Sequence, residues 1–273
     1  MVKEIYQKTK EIIFVNPRKL LDEEIALVNK PFFFKGGKEA AVLMIHGWTS
    51  TAYELRRLGL FLNLHGYTVS IPMLKGHGTV PKDLEDVKWE DWFNQIDQEY
   101  CKLRKEYTKV YVVGTSIGSN LAMLLAQKHS NIPALILMAT PFKLKFEKLT
   151  VLFAQLMGKL KKYNNKYYPP TFGSRHTITR LIAYQSYPIK SALEVFNLIQ
   201  TSREVVSLVQ SPVFVLQSLS DHIATKHSLR DLYNSLGSKV KKKKYIKRAY
   251  HTFISDIRNE NVFQEILEFI QKN

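Results

Sequence analysis

The 273-residue chain has a single cysteine, Cys101, so no disulfide can close within it, and a reducing compartment is expected. No segment approaches the roughly 20 apolar residues of a membrane span. Met1–Lys8 lack an apolar signal core or a small-residue cleavage site, so the cytoplasm is the expected location. Gly-rich phosphate and dinucleotide fingerprints are missing, and the His and Asp residues show no metal-ligand spacing, so neither cofactor nor metal is expected. No zinc-finger, RNP or helix-turn-helix pattern suggests nucleic acid. Internal repeats and Gly/Ser linkers are absent too, and the oligomeric state leaves no trace in the sequence.

Acidic residues are scarce: 24 Asp and Glu face 40 Lys and Arg, a net charge of +16. The excess is local. Residues 141–190 carry ten Lys and Arg against Glu147 alone, residues 239–248 carry seven against none, and the remaining chain is formally neutral. Three readings compete: a solvated face, a surface for anionic lipid or acidic substrate, and nucleic acid. Lys241–Lys244 also fall on a strand-like segment, where lysines block edge-to-edge aggregation. With 45% hydrophobic residues, the chain suits one globular unit with a substantial core.

Strands and helices alternate along it. Strands are expected at Phe32–Phe34 and Val42–Ile45 (as neighbours), Thr68–Ile71, Lys109–Val113, Ala134–Met138, Pro212–Gln217 and Val240–Ile246. Helices are expected at Tyr53–Leu64, Asp83 to about Tyr107, Ser116–His129, Ser191–Val209, Lys226–Leu236 and Glu260–Gln271. The pattern implies an α/β fold, a mainly parallel sheet with helices on both faces. Residues 141–190 break the rhythm, being too long for a crossover. Leu149, Leu152, Phe153, Leu156, Met157 and Leu160 follow helical spacing there, either packed on the domain or roofing a pocket as a cap. The expected division is a core of residues 1–140 and 191–273 with a cap of 141–190.

Chemistry enters at Gly114-Thr115-Ser116-Ile117-Gly118, between a β-branched strand and an apolar helix. A serine between glycines at such a turn is a nucleophile elbow: the backbone is strained, and only glycine lets the chain pass so close on either side. The order Ser, acid, His is then completed by Asp221, at the carboxyl end of a strand, and His251, thirty residues later. Histidine would take the serine proton, and a buried carboxylate would hold the imidazole and its cation. Upstream, the apolar Ala41–Ile45 runs into His46-Gly47-Trp48, so the Trp48 and Ile117 N–H groups are the expected oxyanion hole. His46 and His77 read as structural hydrogen bonders. His222 is a weak alternative to His251, and Asp256 a poor acid because it follows the histidine loop.

With the His46-Gly47-Trp48 loop, Leu74-Lys75-Gly76-His77-Gly78, Trp89-Glu90-Asp91-Trp92, the elbow, Asp221 and His251 in place, the chain resembles the bacterial carboxylesterase and monoacylglycerol lipase group of α/β-hydrolases. It is most similar to the small thermostable carboxylesterases with a compact cap. The resemblance runs from about residue 40 to the C-terminus, weakest over 141–190. It implies hydrolysis of short-to-medium acyl esters or monoacylglycerols. One fold hosts many reactions, however. An acyltransferase with the same triad and a non-catalytic binding protein on this fold are the rival readings. The sequence departs from the group at Ser119, where a second glycine is the pattern, and a narrowed nucleophile pocket is expected from it.

Overall fold

The computed structural model describes residues 28–144, 146–166, 183–221, 223–224, 226–247, 249, 251–255 and 261–273. His222, Asp256, Tyr167, Tyr168 and Phe172 lie outside these residues.

In chain order the elements are β1 (Phe32–Phe34), β2 (Ala40–Ile45), α1 (Arg56–Leu64), β3 (Thr68–Ile71), α2 (Trp89–Glu106), β4 (Lys109–Thr115), α3 (Ile117–Lys128) and β5 (Leu135–Met138). There follow α4 (Glu147–Leu160), β6 (Tyr163–Asn165), β7 (Ser186–Pro188), α5 (Ile189–Val205), β8 (Val213–Ser218), α6 (Lys226–Ser235), β9 (Lys241–Ile246) and α7 (Asn261–Lys272). Seven strands form one sheet in the order β1-β3-β2-β4-β5-β8-β9, parallel except for β1 against β3. β6 and β7 make a separate antiparallel pair.

Alternation along the central strands divides the core. Ala41, Leu43 and Ile45 pack with Leu121 and Leu125 of α3, while Val42 and Met44 pack with Ile266 and Ile270 of α7. A strand buried on both faces has no polar side to show, which is why β2 reads as an unbroken apolar run. Each such side chain contributes about 1.5–3 kcal/mol by leaving water.

One expectation is corrected. β1 does not neighbour β2, because both edges of β2 are occupied by β3 and β4; β1 pairs instead with β3, Phe33 opposite Ser70. The stretch from Asp83 to Tyr107 is largely helical, as expected, with a break near its start. A 3-10 turn at Pro81–Leu84 is followed by extended Lys88 (φ −93°, ψ 157°) before α2 begins. Asp91 fixes that start by accepting the Lys88 N–H at 3.0 Å, an N-terminal cap. Helices α3, α5, α6 and α7 otherwise begin and end within a few residues of their expected limits, as helix ends do.

β9 is a sheet edge, and its lysines are taken up by their own fold. Lys242 and Lys244 pair with Glu265 of α7 on one face. On the other, Lys241 donates to the Tyr233 and Leu236 carbonyls at 3.0 Å, and Lys243 lies over the Tyr233 ring.

Candidate active site

Ser116 sits at the turn from β4 into α3 with φ 53° and ψ −125°, a conformation that costs a non-glycine residue about 1–3 kcal/mol. The flanking glycines are required by contact. A Cβ on Gly114 would lie 2.3 Å from the Gly118 carbonyl oxygen, and one on Gly118 would lie 2.1 Å from that of Ile45. The Ser116 N–H donates to Met138 O at 2.8 Å, anchoring the turn on β5. Ser119 does not reach into the pocket. Its buried hydroxyl donates to Gly114 O at 2.8 Å and accepts the Met138 N–H at 3.1 Å, so it ties the elbow to the sheet beneath.

The three residues expected from their order come together. His251 Nε2 lies 3.0 Å from Ser116 Oγ, and His251 Nδ1 lies 2.8 Å from Asp221 Oδ2. Asp221 follows β8 and is held by N–H groups of Ile223 (2.8 Å) and Ala224 (3.0 Å) and by the Gln217 amide (2.5 Å). Burial pulls the His251 pKa down, but the Asp221 charge and hydrogen bond overcome it and leave the imidazole above its ordinary value. Burial likewise pushes Asp221 up, and the His251 charge with the amide donors brings it below the usual carboxylate range. Both directions describe a pair that favours imidazolium beside carboxylate.

The β2–α1 loop lies against the serine: a Cβ on Gly47 would stand 3.2 Å from Ser116 Cβ. Trp48 is the next residue, and the Ile117 amide is the first N–H of α3, with no acceptor inside its helix. His46 is fully committed. Nδ1 donates to Gly47 O at 2.9 Å, Nε2 accepts the Leu74 N–H at 3.0 Å, and burial lowers its pKa to about 4. His77 donates from Nδ1 to Lys75 O at 3.1 Å, and burial holds it well below the ordinary histidine value. Neither ring hydrogen-bonds to Ser116.

Two residues escaped the sequence reading. Glu54 is buried beside the loop, accepts the Gly47 N–H at 3.2 Å, and has its pKa raised by burial. The signal was there in outline: Glu54, Leu58 and Leu62 recur every four residues, and all three are buried. Lys166 follows β6, and its ammonium donates to the Thr49 hydroxyl. The chain after β5 folds over this loop, and over the loop after β3, at further points. Tyr184 N–H donates to Thr49 O (2.9 Å), the Tyr184 hydroxyl to Gly76 O (3.0 Å), and Trp48 Nε1 to Ser191 Oγ (3.0 Å).

Away from this site, Asp97, Cys101 and His129 bring donor atoms within 4.8 Å of one another, a grouping hidden from sequence spacing because His129 comes from a different helix. Its carboxylate is already engaged by Lys128 (2.7 Å) and His129 (2.6 Å), so it reads as an ion-pair network.

A parallel sheet with helices on both faces, a strained serine at the β4–α3 turn, and an aspartate and histidine arriving from later loops define an α/β-hydrolase. Residues 36–258 match the family model for serine aminopeptidase, S33, and the chain belongs to that hydrolase family. It is 29% identical over 247 residues to a carboxylesterase of Bacillus subtilis (strain 168), covering 89% of this chain and 96% of that protein. It is 25% identical over 248 residues to a thermostable monoacylglycerol lipase of Bacillus sp. (strain H-257), covering 89% and 95%. Among solved structures it resembles one from the metagenome-derived lipolytic enzymes LipS and LipT, with a TM-score of 0.82 at 21% identity over 90% of this chain and 98% of that one. The protein is thus an enzyme of the carboxylesterase and monoacylglycerol lipase group. No helix among the described residues is long and apolar enough to cross a membrane.

Proposed function

We propose that the protein is a serine esterase that cleaves short-to-medium acyl esters or monoacylglycerols through an acyl-enzyme. The observation that carries this is the hydrogen-bonded chain from Ser116 through His251 to Asp221, at 3.0 and 2.8 Å. Ser116 Oγ attacks the ester carbonyl while His251 Nε2 takes its proton, and Asp221 stabilises the imidazolium. The oxyanion is held by the Trp48 and Ile117 N–H groups, the second helped by the N-terminal dipole of α3. His251 returns the proton to the departing alcohol. It then takes one from water as the hydroxide adds to the acyl carbonyl, and passes that proton to Ser116 Oγ as the carboxylic acid leaves.

In this reading residues 141–190 are a cap on a core formed by 1–140 and 191–273. Leu149, Leu152, Phe153, Leu156 and Leu160 of α4 are all more than half exposed, and Lys148, Lys159 and Lys161 stand among them. That face suits weak contact with an anionic lipid surface, which would bring lipid-like esters to the mouth of the site. Nucleic acid is not a partner in this reading, since Lys241–Lys244 of the second basic cluster are engaged with Glu265, Leu236 and Tyr233. One cysteine in the chain suits a cytoplasmic enzyme. The test is labelling by a fluorophosphonate probe followed by an ester chain-length series. Labelling confined to Ser116, with ester turnover lost on labelling, is expected. An unlabelled protein without ester turnover would leave the fold as a binding scaffold.

A further inference from the structure

Lys166 is a cation held against the loop that abuts Ser116. Its backbone N–H donates to Gln185 O at 2.9 Å, which fixes the residue at the end of the β6–β7 ladder. From there the ammonium reaches the hydroxyl of Thr49, the residue after Trp48 in the loop that abuts Ser116. Thr49 is itself held in place: φ is +62°, and its hydroxyl donates to Trp48 O at 2.6 Å.

An ammonium has three N–H donors. Among the described residues, the Thr49 hydroxyl is the one hydrogen-bond acceptor that Lys166 Nζ meets, and no carboxylate lies within ion-pair distance. Residues 167–182, which follow it directly, contain no Asp or Glu. The carboxylate whose charge it feels most, Glu54, already accepts the Gly47 N–H, and burial draws the Lys166 pKa down to about 8. A half-buried cation whose nearby carboxylate is already engaged by the backbone, and whose one hydrogen-bond acceptor among the described residues is a neutral hydroxyl, gains when a ligand supplies an anion. The surrounding segment, 141–190, adds a field of the same sign, with ten Lys and Arg against one Glu.

We infer that Lys166 selects esters carrying a carboxylate or phosphate near the scissile carbonyl, its free N–H donors binding that anion at the edge of the loop formed by Gly47, Trp48 and Thr49. The inference rests on the esterase reading and narrows its substrate class. Neutral esters remain substrates through the shared serine chemistry, and the anion adds a charge-assisted contact.

The test compares two matched pairs at neutral pH. Monomethyl adipate against methyl hexanoate places the charge on the acyl arm, and 1-butyrylglycerol 3-phosphate against 1-butyrylglycerol places it on the alcohol arm. Wild type, Lys166→Met and Lys166→Arg are assayed for kcat/KM, with fluorophosphonate labelling reporting an intact site. In at least one pair the Lys166→Met variant should lose about tenfold in the anionic-to-neutral ratio, and Lys166→Arg should keep most of it. The pair that responds identifies the arm. A ratio unchanged in both pairs, or an equal fall for charged and neutral esters, would overturn the inference and leave Lys166 a strut for the loop. Failure of wild type to cleave any ester would defeat the esterase reading itself, and the inference with it.

Discussion

Glu54 holds Gly47: a buried carboxylate accepts the backbone N–H of the residue packed against Ser116, at 3.2 Å. Its charge also helps raise the His251 pKa, after the larger contributions of Asp221. Replacing it by glutamine keeps an acceptor for Gly47 and deletes the charge. The acidic limb of the kcat/KM profile of Glu54→Gln should therefore shift to lower pH than in wild type. An unmoved limb would mean that Glu54 acts on the loop alone.

Under the proposed mechanism the wild-type limb reports His251, which must be neutral to act as base. The sequence suggests an apparent pKa of about 6–7, since the unperturbed imidazole titrates near ~6.5. The structure moves it upward, because Asp221 stabilises the cation. Activity should be lost as pH falls through a value above the ordinary one. A pH–rate series with chemistry rate-limiting measures this, and a midpoint below ~6 would contradict the buried ion pair.

Ser116→Ala and His251→Ala should each lower kcat by about 10⁴-fold or more, and Asp221→Asn by less, with circular dichroism unchanged. Wild-type turnover by Ser116→Ala would remove the elbow from the mechanism.

Gly118→Ala should destabilise the fold rather than merely slow it. Its methyl would meet the Ile45 carbonyl oxygen at 2.1 Å, backbone that cannot step aside without disturbing β2. A loss of about 1–3 kcal/mol is the ordinary cost of such overpacking, visible as a lower Tm or as insoluble protein. An unchanged Tm would show that β2 yields.

For the lipid-surface reading, Lys148, Lys159 and Lys161 are the informative lysines, because Lys162 already pairs with Glu85 at 3.1 Å. Converting the three to glutamine should weaken sedimentation with anionic vesicles, each lysine being worth about 1 kcal/mol near such a surface. Added salt should do the same to wild type. Equal binding to neutral vesicles would assign these lysines to an ordinary solvated face.

That Ser116, His251 and Asp221 would meet was legible because the signals are local: glycines around a serine, a strand running into an aspartate, a fixed chain order. The position of β1 was not, since pairing with β3 rather than β2 depends on which strands fill the two edges of β2. Glu54 was obscured because an acidic residue on a helical stripe usually faces water. Lys166 was one cation among ten until the β6–β7 ladder singled it out. The role of Ser119 was misjudged because only the folded elbow shows its hydroxyl turned toward Met138.

The lysines of β9 have a consequence for growth of the sheet. An incoming strand must align its backbone with that edge, yet Lys242 and Lys244 lean to Glu265 on one face and Lys241 and Lys243 to the Tyr233 region on the other. The edge is thus flanked above and below by ammonium groups that a second backbone would have to crowd, and among the described residues the opposite edge offers the three residues of β1. The β9 rim is therefore a poor template for fibre-like stacking of one molecule on the next. The exposed apolar residues of α4 and the guarded hydrogen-bonding edge of β9 lie in different elements, so the sticky surface is not also a strand edge.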